Sequence, residues 1–228
     1  NHPMGSAAAW DEVKFKVAAN SGPFQIIYPN ESLKLKVGDK LDVIWDVSNT
    51  DIAPVNCKYV DIFFSIDSDL DFDGPNMIPA AIQVPNDGFE SVIVPNIEST
   101  RVRVVVKASD NIFFTVGKGL SRIDAPTEPT FFMDIKDPIR RLCLPENPDF
   151  EISTIGFLGL KDSIHFEAVA PTEVLASFAN TRVLPGESNW MYLDLNNITK
   201  SGVYEILVKT FVPGVDTIER IVRVFVTT

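Results

Sequence analysis

Apolar and polar residues alternate along most of this chain with a period of two, the spacing that sends successive side chains to opposite faces of a strand. Leu41, Val43, Trp45 and Val47 share one face, with Asp42 and Asp46 on the other. Val60, Ile62, Phe64 and Ile66 repeat the pattern, as do Val102, Val104 and Val106 against Arg101, Arg103 and Lys107. Turn clusters at 37–40 (VGDK) and 85–88 (PNDG) punctuate these stretches. From about Asn20 to Asp124 the pattern predicts roughly seven short strands, enough for one β-sandwich with a half-buried face on each sheet.

Residues 124–129 (DAPTEP) hold two prolines in a short polar stretch, which excludes both helix and central strand and predicts a linker. A second alternating region follows, with strands expected at 130–135, 150–155, 163–169, 173–179, 189–195, 203–212 and 217–226. The chain therefore divides into residues 20–124 and residues 125–228, two sandwiches in tandem without detailed sequence repetition. Before them, residues 1–6 (NHPMGS) read as a cloning scar, and residues 11–17 (DEVKFKV) alternate like one more strand, with Val13, Phe15 and Val17 on one face. Residues 1–19 are thus expected to be the scar plus the closing strand of a preceding domain.

Composition narrows the function classes. No apolar run approaches the roughly 18 residues of a membrane-spanning helix, so membrane insertion is not expected. A net charge of −11 opposes a phosphate backbone, which demands clustered Lys and Arg, and no nucleic-acid partner is expected. The same acidity suits an extracellular protein and leaves carboxylates free for calcium, the one cofactor the sequence admits. The two cysteines, Cys57 and Cys143, lie at no zinc spacing and are expected as free, mostly buried thiols.

Fixed phrases in the first half carry a resemblance. Gly22-Pro-Phe24, Pro29-Asn30, Gly38, Val43, Trp45-Asp-Val47, the stretch from Ala53 to Cys57 (APVNC), Ser65-Ile-Asp67, PNDG and the stretch from Asn111 to Phe114 (NIFF) occur in order. Residues 20–123 thereby resemble the Ig-like accessory modules that follow the catalytic domain of secreted bacterial metalloproteases of the reprolysin-like kind and of related large exported proteins. The resemblance implies export, extracellular or cell-surface residence, and other domains of the same polypeptide as partners. It carries no catalytic chemistry across, since H-E-x-x-H is absent and the only histidines are His2 and His165. The second half is more loosely similar to Ig-like or fibronectin-type modules of such proteins. Its best signal is the stretch from Ser201 to Ile206 (SGVYEI), where Tyr204 enters a strand as a tyrosine corner would, its hydroxyl reaching upstream backbone.

Four features are candidates for chemistry or for structural duty. Asp69, Asp71, Asp73 and Gly74 occupy positions 1, 3, 5 and 6 of a calcium loop, but Ala80 stands where the bidentate Glu belongs. Ser65, Asp67 and Phe72 alternatively frame a degenerate Asp box, a hairpin turn in which Asp67 only braces the backbone, and the missing Glu favours that turn. Trp45 belongs to the core by its face. Met191, Leu193 and Leu195 make the better inward face of their strand and send Trp190 and Tyr192 outward together, about 7 Å apart. Such a pair can stack on sugar rings or anchor a protein, unless the linker phenylalanines Phe131 and Phe132 or the neighbouring domain cover it.

The expectation is an all-β chain of two Ig-like or fibronectin-III-like sandwiches. It would act as a non-catalytic spacer or presentation module of a larger secreted bacterial protein. The alternative is a module that binds carbohydrate, another surface polymer or an extracellular protein through Trp190 and Tyr192. No nucleophile beside a base and no framed pair of carboxylates supports an enzyme.

Overall fold

The computed structural model describes Glu12, Lys14, residues 17–66 and residues 70–228. Among these residues every regular element is a strand, and no helix is long and apolar enough to cross a membrane. From residue 25 onward the alternation seen in the sequence is realised as sheet, in the Ig/fibronectin-III-like sandwich arrangement. Of the strand expected at 11–17, Asp11, Val13, Phe15 and Lys16 lie outside the described residues. Val17, which is described, is exposed and in no strand.

The first nine strands are β1 (Gln25–Tyr28), β2 (Lys34–Lys36), β3 (Lys40–Asp46), β4 (Tyr59–Ile66), β5 (Met77–Pro85), β6 (Phe89–Ile93), β7 (Ser99–Ala108), β8 (Phe114–Val116) and β9 (Ser121–Asp124). They form a three-stranded sheet in the order β1-β3-β6 and a second sheet in the order β2-β9-β7-β4-β5, with β8 also on β7. Between the sheets lie Val43, Trp45, Val60, Ile62, Phe64, Val104 and Val106, the inward residues of β3, β4 and β7. More than seven strands result because the first and last strands are each broken in two. β1 pairs with β3 in one sheet, while β2 crosses over to run parallel to β9 in the other.

The remaining strands are β10 (Thr130–Ile135), β11 (Ile139–Cys143), β12 (Asp149–Phe157), β13 (Ile164–Val169), β14 (Leu175–Phe178), β15 (Arg182–Val183), β16 (Ser188–Asp194), β17 (Gly202–Val212) and β18 (Asp216–Thr227). Their sheets run β10-β12-β16-β14 and β11-β18-β17-β13-β15. Phe131, Met133, Phe150, Ile152, Met191, Leu193, Ile206, Val208, Val222 and Val224 fill the space between them. The same split of the leading strand recurs: β10 pairs with β12, and β11 pairs in parallel with β18. β11 and β15 escaped the periodicity. β11 follows Pro138 and carries Arg140 and Arg141 side by side, and β15 has only two residues, so neither shows an alternating signature.

Tertiary packing gives the sequence phrases their meaning. Trp45 is buried, and its indole Nε1 donates to Asn86 Oδ1 at 2.9 Å. Asn86 Nδ2 in turn donates to Thr50 Oγ1 at 2.9 Å and to the Cys57 carbonyl at 3.0 Å. One buried amide thus ties the PNDG turn to the tryptophan strand and to the end of APVNC. Gly88 completes the turn at a φ of 98°, where a Cβ would stand 3.1 Å from the Trp45 carbonyl.

Tyr204 lies near the start of β17, and its hydroxyl donates to the Lys200 carbonyl at 2.8 Å, four residues upstream. That bond spans the crossover into β17, the geometry of a tyrosine corner. Cys57 and Cys143 are both free thiols. Cys57 is buried and donates to the Tyr59 carbonyl at 3.2 Å, and burial pushes its thiol above the ordinary range. Cys143 is exposed, contrary to the expectation of two mostly buried thiols: it alternates outward on an edge strand whose inward residue is Leu142.

Candidate functional site

Two regions combine chemistry with accessibility or with unusual burial. The first is the face of the sheet β10-β12-β16-β14 that points away from its own core. Inward Met191 and Leu193 leave Trp190 and Tyr192 on the opposite side, with 39% and 46% of their surfaces exposed. Directly paired residues of adjacent antiparallel strands share a face. Asp149 on β12 and Ser177 on β14 therefore flank Tyr192, and Glu151 on β12 stands opposite Trp190. Lys136 approaches Glu151 at 3.9 Å, while Asp149 makes no hydrogen bond or ion pair among the described residues. Asp194 accepts from the Asn196 amide, and exposed Leu175 pairs with it from β14. The phenylalanines Phe131 and Phe132 do not cover the aromatic pair. They point to opposite sides of β10, Phe131 into the second core and Phe132 against the first.

That divergence creates the second region, a joint between the sandwiches. Phe132 is 8% exposed and packs with the first core, although it belongs to a strand of the second sandwich. Arg220 lies over the Phe132 ring at 5.4 Å and donates to the Met133 carbonyl at 3.0 Å. Burial lowers the Arg220 guanidinium to about 10, partly offset by attraction from Asp134. Beside it, Arg223 on β18 bridges two carboxylates: Glu205 on β17 at 2.7 Å and Glu90 on β6 at 3.0 Å. Glu90 occupies an inward position of β6 opposite Val43, at the mouth of the first sandwich. Burial raises its carboxyl above the ordinary range, more than the Arg223 charge and hydrogen bond lower it.

An outer layer flanks the ion pair. Tyr59 meets Phe225 edge to face with centroids 5.7 Å apart, and the Arg141 guanidinium lies 4.5 Å above Phe225 while bonding Gln83. Lys36 Nζ donates to Thr127 Oγ1 of the linker at 2.8 Å. A cleft of about 860 Å³ runs along the joint, lined from both sides by residues that include Lys40, Glu90, Phe132, Asp134, Asp216 and Arg220. None of these joint residues carries a signal in the sequence, because each partner is meaningless without the other.

The acidic loop is described only from Leu70 onward. Asp67 and Asp69 lie outside the described residues, and with them the expected brace of the Asp box and the first position of the calcium loop. Asp71 Oδ1 accepts from the Asp73 amide at 3.2 Å, and its carbonyl accepts from Gly74 at 3.0 Å, a tight turn held by its own backbone. Phe72 anchors it to the outer face of the sheet, edge to face with Phe63 at 5.9 Å and with Phe114 at 5.2 Å, under the Lys107 ammonium. Among the described residues no group of three His, Cys, Asp or Glu side chains is placed to hold a metal ion. His165 is stacked on Phe211 at 5.2 Å.

No family model matches the chain, and no curated protein matches it significantly. Solved structures do show likeness. Domains 4 and 5 of the S-layer protein SbsC align at 14% identity over 60% of this chain and 69% of that one, with a TM-score of 0.35. A Porphyromonas gingivalis protein of unknown function aligns at 15% identity over 90% of this chain and 100% of its own, with a TM-score of 0.34. The fibronectin(III)-like modules of Clostridium thermocellum CbhA align at 11% identity over 90% and 94%, with a TM-score of 0.27. At these scores the fold rests on the chain's own sheet order and register.

Proposed function

We propose that this chain is a non-catalytic pair of sandwiches that holds neighbouring parts of a larger exported bacterial polypeptide at a set distance and angle. The observation that supports this reading is the joint: an ion pair with side chains only 11% and 14% exposed links the two sandwiches across the linker. A flexible tether needs no such contact, since surface ion pairs and a Pro-containing linker would suffice. The phrases shared with accessory modules of secreted metalloproteases point to the cell exterior, and to a metalloprotease as one parent. Small-angle scattering tests the mechanical part. A single rigid arrangement of the sandwiches is expected, and a distance distribution that demands a broad ensemble would overturn it. Purified protein is further expected to leave peptide and glycoside substrates intact with or without zinc. Metal-dependent turnover abolished by a point substitution in this chain would end the non-catalytic reading.

A second reading is favoured by one specific observation. Trp190 and Tyr192 remain exposed on the same sheet face as Phe132, beyond the part that the first sandwich covers. That face suits a carbohydrate or another surface polymer, bound by stacking on the rings.

A further inference from the structure

The polar rim of the exposed aromatic pair is one-sided in charge. Asp149 and Glu151 stand directly beside Tyr192 and Trp190 on β12, and Asp194 lies one pair further along β16. Among the described residues the cation paired with them is Lys136, whose side chain is 71% exposed and stands 3.9 Å from Glu151. Asp149 has no partner among the described residues, although its carboxylate has room for several donors. A π-face beside an unpaired carboxylate and two partly exposed acidic neighbours attracts a cation twice, once through the ring quadrupole and once through charge. Acidic saccharides are repelled by the same rim.

We infer that this face binds a cationic saccharide, an oligomer of hexosamine units whose free amines are protonated. The proposal rests on the carbohydrate reading of Trp190 and Tyr192 and adds the charge of the ligand. Sugar rings would lie on Trp190 and Tyr192, which follow one another along β16. The ammonium groups would sit over the indole or against Asp149 and Glu151, and Ser177 would meet ring hydroxyls from the other flank. A basic peptide shares the charge but lacks the flat apolar ring face that two aromatic side chains on an open sheet can stack against.

Titration calorimetry with the 228-residue chain, at a pH where the amines are charged, tests this with four probes: glucosamine hexamer, N-acetylglucosamine hexamer, cellohexaose and deca-lysine. The glucosamine hexamer is expected to bind, and to bind roughly tenfold or more tightly than its acetylated counterpart. Trp190→Ala should abolish binding, and the double variant Asp149→Asn/Glu151→Gln should narrow the gap between the two hexamers several-fold; an unchanged gap would overturn the charge inference. Unchanged melting temperatures of these variants would separate lost binding from lost folding. Equal binding of all three saccharides would overturn the charge inference and leave the carbohydrate reading standing. Silence from all three would sink both. Tight binding of deca-lysine that survives Trp190→Ala would also overturn the proposal, because it would reduce the face to a general acidic patch.

Discussion

Replacing Arg223 with methionine tests the joint at its centre. The guanidinium holds Glu90 at 3.0 Å and Glu205 at 2.7 Å, but the two contacts differ in weight. Glu205's side chain is 51% exposed, so water replaces Arg223 there at small cost. Glu90's is 14% exposed, and removing its cation leaves a buried carboxylate uncompensated, which costs about 3–5 kcal/mol in comparable settings. The cost must depend on pH. In the folded chain the Glu90 carboxyl sits above its ordinary value of 4.5, chiefly through burial. A carboxyl raised by folding favours the fold fully below its unfolded pKa, and that contribution is lost as pH rises through the folded value. Without Arg223 the carboxyl rises further, so the variant loses most at neutral pH. Toward pH 4.5 a protonated Glu90 no longer needs the cation, and the difference from wild type shrinks. Urea unfolding followed by tryptophan fluorescence and by circular dichroism, at about pH 7.5 and near pH 5, reads both terms. The variant is expected to lose several kcal/mol at the higher pH, to lose less at the lower, and to separate into two transitions as the sandwiches uncouple. Glu90→Gln in the same background should recover part of the loss. A loss below about 1 kcal/mol that does not change with pH would refute the view that Arg223 compensates a buried Glu90 charge.

Three further outcomes follow from particular contacts. Asn86→Ala would strand the Trp45 indole N–H and the Cys57 carbonyl, and should destabilise the first sandwich by about 3 kcal/mol in chemical denaturation; a loss under about 1 kcal/mol would mean that water replaces the amide. Tyr204→Phe removes the bond to the Lys200 carbonyl and should cost about 1 kcal/mol, with no change in the far-ultraviolet spectrum. Millimolar calcium or EDTA should leave the melting curve unmoved, because the turn after Leu70 is already held by Asp71 and Phe72; a calcium-dependent rise lost in Asp71→Asn would instead establish a cation site.

The alternation of residues was enough to place most strands and to choose which face of each turns inward. That information is local: a strand's period of two is set by its own backbone, and Trp45, Met191 and Tyr204 each report their side from their immediate neighbours. It also put Trp190 and Tyr192 outward, although only the three-dimensional arrangement could decide that neither Phe131 nor Phe132 covers them. β11 and β15 stayed hidden because their pairing, not their composition, makes them strands. Asn86 was visible as part of a turn phrase, yet its duty was not, since Trp45, Thr50 and Cys57 converge on it only after folding. The joint was the least legible feature. Glu90 and Arg223 are 133 positions apart, and each alone is an ordinary charge on a strand. Burial and partnership, which give such a pair its energy, are properties of packed surfaces that exist only once both sandwiches have formed.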